Sequence, residues 1–244
     1  MNASCHPDAA ARSAADRVSV VLIVRNGAAT IAEALASVLR SPTQPLEVLV
    51  IDGNSSDDTV AIASRFPRVT VVPEESPGIA NAYNQGIALA RGDLVAFISH
   101  DDLWTDGKLD RQLAVMQAQP ELLFTVGMVQ HFLAGDRPPP GFRRELLDGP
   151  CPGFIMETLM ARKAVFEVVG GFDPSFKVSE DTDWFARARD AGVAMALLPE
   201  VLVRKRVHGD NASLNTANIN QLLLRALRGS VARKRTLASV ETGR

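Results

Sequence analysis

The sequence predicts an α/β domain with a mostly parallel central sheet and helices on both faces. Two patterns carry this. Short apolar, β-branched runs alternate with segments of helical spacing from residue 18 to residue 98. Small polar and acidic residues also gather directly after those runs, where connections leave the carboxyl edge of a parallel sheet.

Val18–Val24 (VSVVLIV) is almost continuously apolar, as a strand buried on both faces requires. Thr30–Leu39 places apolar residues at 31, 34, 35, 38 and 39, the period of a helix. Leu46–Ile51 is a second strand. Asp57 or Asp58 caps a short helix over Thr59–Arg65. Val69–Val72, Ile79–Ala90 and Leu94–Ile98 continue as strand, helix and strand. Beyond this the pattern loosens. Lys108–Gln119 reads as a helix, Leu122–Gln130 as a strand and Phe154–Met160 as another. Between them Ala134–Pro152, with Pro138-Pro139-Pro140 and several glycines, reads as a long mobile loop of functional size. Lys163–Val169 and Asp181–Ala191 are predicted helices stopped by glycines. Val193–Leu197 and Val201–Val207 are predicted strands. The expected organisation is a disordered leader over 1–17, one domain over 18–214 and a basic helical tail over 215–244.

Composition narrows the function. With 26 basic and 28 acidic residues, the net charge of -2 argues against a nucleic-acid-coating surface. Two cysteines exclude a disulfide framework, and 5% aromatic residues give no stacking platform for single strands. No apolar run approaches bilayer length, and the first residues lack a signal peptide's apolar centre, so a cytoplasmic protein is expected.

Ligands of open parallel sheets bind beyond the carboxyl ends of the strands. Val24, Arg25, Asn26 and Gly27 stand there after the first strand. Asp52 to Ser56 follow the second, and Ser99, His100, Asp101 and Asp102 the fourth. No G-x-G-x-x-G or Walker lysine motif is present, so phosphates would be held by carboxylates through a hard divalent cation. Asp101-Asp102 serves equally as a solvated turn, and Glu180-Asp181-Thr182-Asp183 as an acidic helix start. A carboxylate at a helix start also suits a general base. His208 shares a segment with Arg204, Lys205 and Arg206, which either forms a solvated strand or faces an anion.

The segments VSVVLIVRNGAATIAEALASV, EVLVIDGNSSDDT, ESPGIANAYNQGIALARGDLVAFISHDDLW, GGFDPSF, SEDTDWFARARDAG and RKRVHGDNAS resemble, in order and spacing, the family 2 glycosyltransferases of the GT-A fold. The resemblance implies a nucleotide-binding half over 18–102 and an acceptor half over 103–214. It also implies transfer of a sugar, with inversion, from a nucleotide-sugar donor (a UDP-sugar first) to a saccharide or other hydroxyl. Mg2+ or Mn2+ would be held by Asp101, supported by Asp102 and reached by His208. Ser99 replaces the first aspartate of the metal motif, and His100 stands beside it. Asp52 would recognise the base, and Val24, Arg25, Asn26, Gly78, Asn81 and Asn84 would line the donor side. Asp181, with Glu180 beside it, would be the general base. Trp184 would pack the acceptor side, and Arg206 would assist the leaving group. Two readings compete: a metal-dependent nucleotidyltransferase, and a non-catalytic nucleotide-sugar-binding module. The tail from residue 218 offers a peripheral contact with the cytoplasmic membrane face.

Overall fold

The structure is a computed structural model that describes residues 18–211, 214 and the backbone of 216–242, with side chains over 221–235 of that last segment. The expected leader over 1–17 lies outside the described residues.

Four strands, β1 (Val18–Val24), β2 (Glu47–Asp52), β3 (Val69–Pro73) and β4 (Leu94–Ser99), pair in parallel in the order β3-β2-β1-β4. Helices α1 (Ile31–Leu39), α2 (Thr59–Ala63) and α3 (Ile79–Leu89) connect them. The sheet continues through β5 (Leu103–Trp104), β6 (Phe124–Leu133), β7 (Cys151–Gly153), β8 (Met160–Arg162) and β9 (Met195–Val207). The antiparallel pairings in this half are short, two or three residues each. The long β6–β9 pairing is parallel. Helices α4 (Lys108–Ala118), α5 (Ala164–Val169), α6 (Glu180–Asp190) and α7 (Thr216–Thr242) complete the chain.

The period of two along β1 divides the core. Val20, Leu22 and Val24 face one layer with Leu35 and Val38 of α1 and Leu109, Leu113 and Met116 of α4. Val21 faces the other, with Tyr83 and Ile87 of α3, Val165 of α5 and Trp184 of α6. Helices therefore cover both faces, and each fully buried aliphatic side chain contributes about 1.5–3 kcal/mol. No described helix is long and apolar enough to cross a membrane.

Three expectations change. Phe154–Met160 is not a strand. The Thr158 hydroxyl donates to the carbonyls of Gly153 (2.5 Å) and Ile155 (3.0 Å), folding Met156–Thr158 into a 3-10 turn between β7 and β8. The two predicted strands over 193–207 are one, β9. The break expected at Pro199 is an irregularity in register opposite Val126–Val129, which accommodates a residue without an N–H. The 134–152 loop also contains a 3-10 turn at Arg144–Leu147 and leads into β7, which pairs with β6.

Candidate active site

A cavity of about 1380 Å3 opens at the carboxyl ends of β1, β2 and β4. It is lined on the β1 side by Val24, Arg25 and Asn26, and on the β4 side by Ser99, His100 and Asp101. Glu180 and Asp181 line it from α6, and Lys205, Arg206 and His208 from the end of β9. Residues far apart in sequence thus meet where a parallel sheet places its ligands.

The loops after β1 and β2 are latched together. Asn26, with φ of 53°, donates its N–H to Ser55 Oγ (2.8 Å) and accepts the Ser56 N–H on Oδ1 (2.8 Å). Gly27 N–H reaches Thr59 Oγ1 and Ala28 N–H reaches Asp57 Oδ2, at 2.8 and 3.0 Å. Of the two expected caps, Asp57 accepts the Thr59 N–H at 3.1 Å, whereas Asp58 makes no side-chain cap bond. A side chain at Gly27 would meet His100 Nδ1 at 2.8 Å, so the latch needs glycine there. Asp52 is buried at the end of β2. Its Oδ2 accepts the Ser55 N–H at 3.1 Å, while Oδ1 has no partner, a buried acceptor that asks for an N–H or O–H.

Asp101 and Asp102 divide. Asp101 Oδ2 lies 2.8 Å from His208 Nε2 and 3.4 Å from Asn211 Nδ2. Burial would raise its pKa, but Lys205, His100 and His208 outweigh it and hold the carboxyl below its ordinary value. Asp102 points the other way and is fully buried. Its Oδ2 accepts from Lys205 Nζ (2.8 Å) and its Oδ1 from the Arg206 N–H (2.7 Å). Burial pushes it up to about 7, against the pull of Lys205. With both oxygens committed and no cavity contact, Asp102 is an internal anchor, which corrects the expectation of a metal ligand. Burial opposes the charge of Lys205, but Asp102, Glu157 and Asp101 more than offset it and keep its pKa well above the usual lysine value.

Ser99 Oγ donates to Glu157 Oε1 at 2.5 Å, and Lys205 Nζ reaches the same oxygen at 3.2 Å. Glu157 and Lys205, which the sequence patterns did not single out, are central to the site. His100 Nδ1 is hydrogen-bonded to Thr30 Oγ1 at 3.0 Å, and burial lowers its pKa. Arg206 bridges the Asp101 carbonyl (2.8 Å) and Glu33 (2.5 Å) while keeping a place on the cavity wall.

The first turn of α6 carries the two neighbouring acids, after Ser179 at a φ of 63°. Asp181 Oδ1 accepts the Thr182 N–H at 2.6 Å. Burial, reinforced by Glu157, pushes Asp181 up to about 6, and burial plus the neighbouring Asp181 pushes Glu180 up to about 8. The two acids titrate as an interacting pair.

Several predicted donor-side residues do other work. Gly78, with φ of 123°, begins α3 where a side chain would be strained; its N–H reaches Glu74 Oε1 at 2.8 Å, and it lines the cavity. Asn81 Nδ2 donates to the Pro77 carbonyl at 3.0 Å, closing that turn. Asn84 is a clamp: its amide bonds both the N–H and the carbonyl of Phe172, each at 2.8 Å. Trp184 does not face the acceptor side. It is fully buried against Phe124, Phe166, Phe172 and Phe185, with Nε1 donating to the Gly170 carbonyl at 3.0 Å. Gly141 and Arg143 of the long loop also line the cavity.

This sheet, with one cavity joining the ends of β1, β2 and β4 to two acids on α6, has the GT-A fold. The sequence model of "Glycosyl transferase family 2" matches residues 19–177, and the chain belongs to that family. An uncharacterized glycosyltransferase of Rickettsia typhi is 30% identical over 219 residues, covering 84% of this chain and 68% of the relative. The S. aureus TarS 1-349 structure in complex with UDP-GlcNAc superposes with a TM-score of 0.71 at 17% identity, covering 89% of this chain and 66% of that one. The mannosyltransferase PcManGT from Pyrobaculum calidifontis, in complex with GDP-Man and Mn2+, gives 0.69 at 20% identity, covering 88% and 64%. The chain thus spans about two thirds of the Rickettsia relative, of the TarS 1-349 segment and of the PcManGT chain.

Proposed function

We propose that the enzyme transfers a sugar, with inversion, from a nucleoside-diphosphate sugar to a hydroxyl of a saccharide or other acceptor. One observation carries the reading: a single cavity collects Asp101 from the end of β4, His208 from beyond β9 and Asp181 from the first turn of α6. The half over 18–102 takes the nucleotide, with the unpartnered Asp52 Oδ1 as acceptor for a base N–H. A UDP-sugar is the first candidate donor. The half over 103–214 takes the acceptor.

Asp181 removes the proton from the acceptor hydroxyl. The new oxygen–carbon bond forms at the anomeric carbon as the bond to the diphosphate breaks, and nucleoside diphosphate leaves. One base suffices for a single displacement. Glu180, whose pKa is raised by burial and by the neighbouring Asp181, stands beside the base.

The donor set fits a divalent cation shared with substrate. Asp101 and His208 supply one carboxylate and one imidazole, and no cluster of three or more potential ligands stands ready among the described residues. Mg2+ or Mn2+ commonly takes few protein ligands and completes its shell with phosphate oxygens and water. Such a cation would neutralise charge developing on the departing diphosphate. Arg206, on the same wall, adds a fixed cation for that group.

The nucleotidyltransferase and binding-module readings are separated by product: sugar transfer releases nucleoside diphosphate, nucleotidyl transfer releases pyrophosphate, and a binding module releases neither. Asp181→Asn tests the base. Donor affinity is expected to hold while transfer falls by several orders of magnitude, and near-wild-type turnover would refute the assignment. Exposed Leu224, Leu227 and Val231 follow helical spacing on α7 among exposed Arg228, Lys234 and Arg235, which supports a peripheral contact with the cytoplasmic membrane face.

A further inference from the structure

We propose that Glu157 is a donor-binding residue that accepts hydrogen bonds from hydroxyls of the nucleotide sugar, with Ser99 and Lys205 holding its carboxylate in place. The inference rests on the nucleotide-sugar reading above.

The 3-10 turn Met156–Thr158 presents Glu157 to the cavity, yet only 6% of the residue is exposed. Both hydrogen-bond partners of its carboxylate among the described residues, Ser99 Oγ and Lys205 Nζ, converge on Oε1. Oε2 accepts no hydrogen bond among the described residues. A carboxylate so deeply placed normally has each oxygen satisfied. Here one oxygen is fixed and the other remains for a donor entering the cavity.

The holders are themselves fixed. Lys205 Nζ is tied to the fully buried Asp102, whose other oxygen is bonded to the backbone of Arg206. Ser99 ends β4, and its register beside Ile23 of β1 places it at the carboxyl edge of the sheet. The 3-10 turn is secured by the two hydrogen bonds of Thr158. Three chain segments, the end of β4, the 3-10 turn and the end of β9, thus position one carboxylate, the pre-organisation a recognition group needs.

Carboxylate oxygens accept only, so a phosphate is repelled and a hydroxyl is suited. In a nucleotide sugar two groups offer hydroxyls, the ribose and the transferred sugar. The β4 end has a short hydroxyl side chain at 99, which donates to Glu157 Oε1. Glu157 lines the same cavity as Ser99.

The test is calorimetric binding of UDP, GDP, UDP-glucose and GDP-mannose, each with MnCl2, to the wild-type chain and to Glu157→Gln and Glu157→Asp. Glu157→Gln removes the charge and Glu157→Asp withdraws the carboxylate by one methylene while keeping a partner for Lys205. Thermal unfolding reports whether each variant is folded. Loss of a charge-assisted hydrogen bond is expected to weaken the bound probe about tenfold in both variants. Equal weakening of a bare nucleotide and its sugar conjugate assigns the ribose; weakening of the conjugate alone assigns the transferred sugar. Unchanged affinity for every bound probe in folded Glu157→Asp overturns the proposal, whatever Glu157→Gln does. Failure of the wild-type chain to bind any of the four overturns the nucleotide-sugar reading itself, and this inference with it.

Discussion

Asn84→Ala separates holding from binding. The wild-type amide makes two hydrogen bonds at 2.8 Å, donating to the Phe172 carbonyl and accepting its N–H. Phe172 is 2% exposed, so water cannot readily replace the lost partners. Two such bonds to backbone contribute about 2–3 kcal/mol together. At about 2–4 °C per kcal/mol for a chain of this size, Tm should fall by about 4–12 °C. Donor affinity should stay within about twofold of wild type, because Asn84 does not line the cavity. Asn84→Asp keeps the acceptor for the Phe172 N–H but sets a carboxylate against the Phe172 carbonyl, and should be destabilised as well. Thermal unfolding by circular dichroism, paired with calorimetric titration of UDP and GDP in Mn2+, reads both quantities. An unchanged Tm with donor affinity weakened tenfold would refute the clamp and return Asn84 to the donor site.

The raised pKa of Asp181 gives the sign of the pH profile: the base acts when deprotonated, so transfer should climb through about pH 6, level off above it and be lost as pH falls. A midpoint near 4 in single-turnover rates would show that burial does not govern this acid. Asp101→Ala and His208→Ala should each remove the Mn2+ dependence of donor binding; a Mn2+ titration that matches wild type would place the ligands elsewhere. Sedimentation with anionic vesicles should pellet the full chain in a salt-sensitive manner and fail after deletion of 218–244. Equal pelleting with and without that segment would remove α7 from membrane contact.

The first half of the fold was readable because its signals are local. Val18–Val24, Leu46–Ile51 and Leu94–Ile98 are apolar on both faces, and a strand of that composition has few other places to go. The second half depends on long-range pairing. Leu103–Trp104 is too short for a periodic signal, yet it pairs with Val203 and Arg204. Pro199 looks like a terminator until the register irregularity with β6 accommodates it. Of the residues that line the cavity, His100, Asp101, Asp181, Arg206 and His208 were legible from their positions after strands or at a helix start, whereas Asp52 is buried at the end of β2 and is not part of the lining. Glu157 and Lys205 carried no such signal. Glu157 sits inside a segment that reads as an ordinary strand, and Lys205 is one of three cations in a row. Only the fold shows that Lys205 turns inward to Asp102 while Arg206 turns to Glu33.

Position after a strand also does not give direction. Asp101 and Asp102 are adjacent, acidic and at the same sheet edge, but the chain turns between them. One carboxylate meets His208 at the cavity and the other is sealed beneath it with Lys205. The pair is best understood as one device. Asp102 fixes Lys205 and the backbone of Arg206, and Lys205 in turn lowers the pKa of Asp101 and fixes Glu157. Removing the inner aspartate would therefore disturb both walls of the cavity at once, although it touches neither donor nor acceptor. A buried ion pair is weak evidence for stability, since its desolvation rivals its attraction. Its value here is geometric: through Lys205 and the backbone of Arg206 it fixes the end of β9 against the end of β4 and against Glu157.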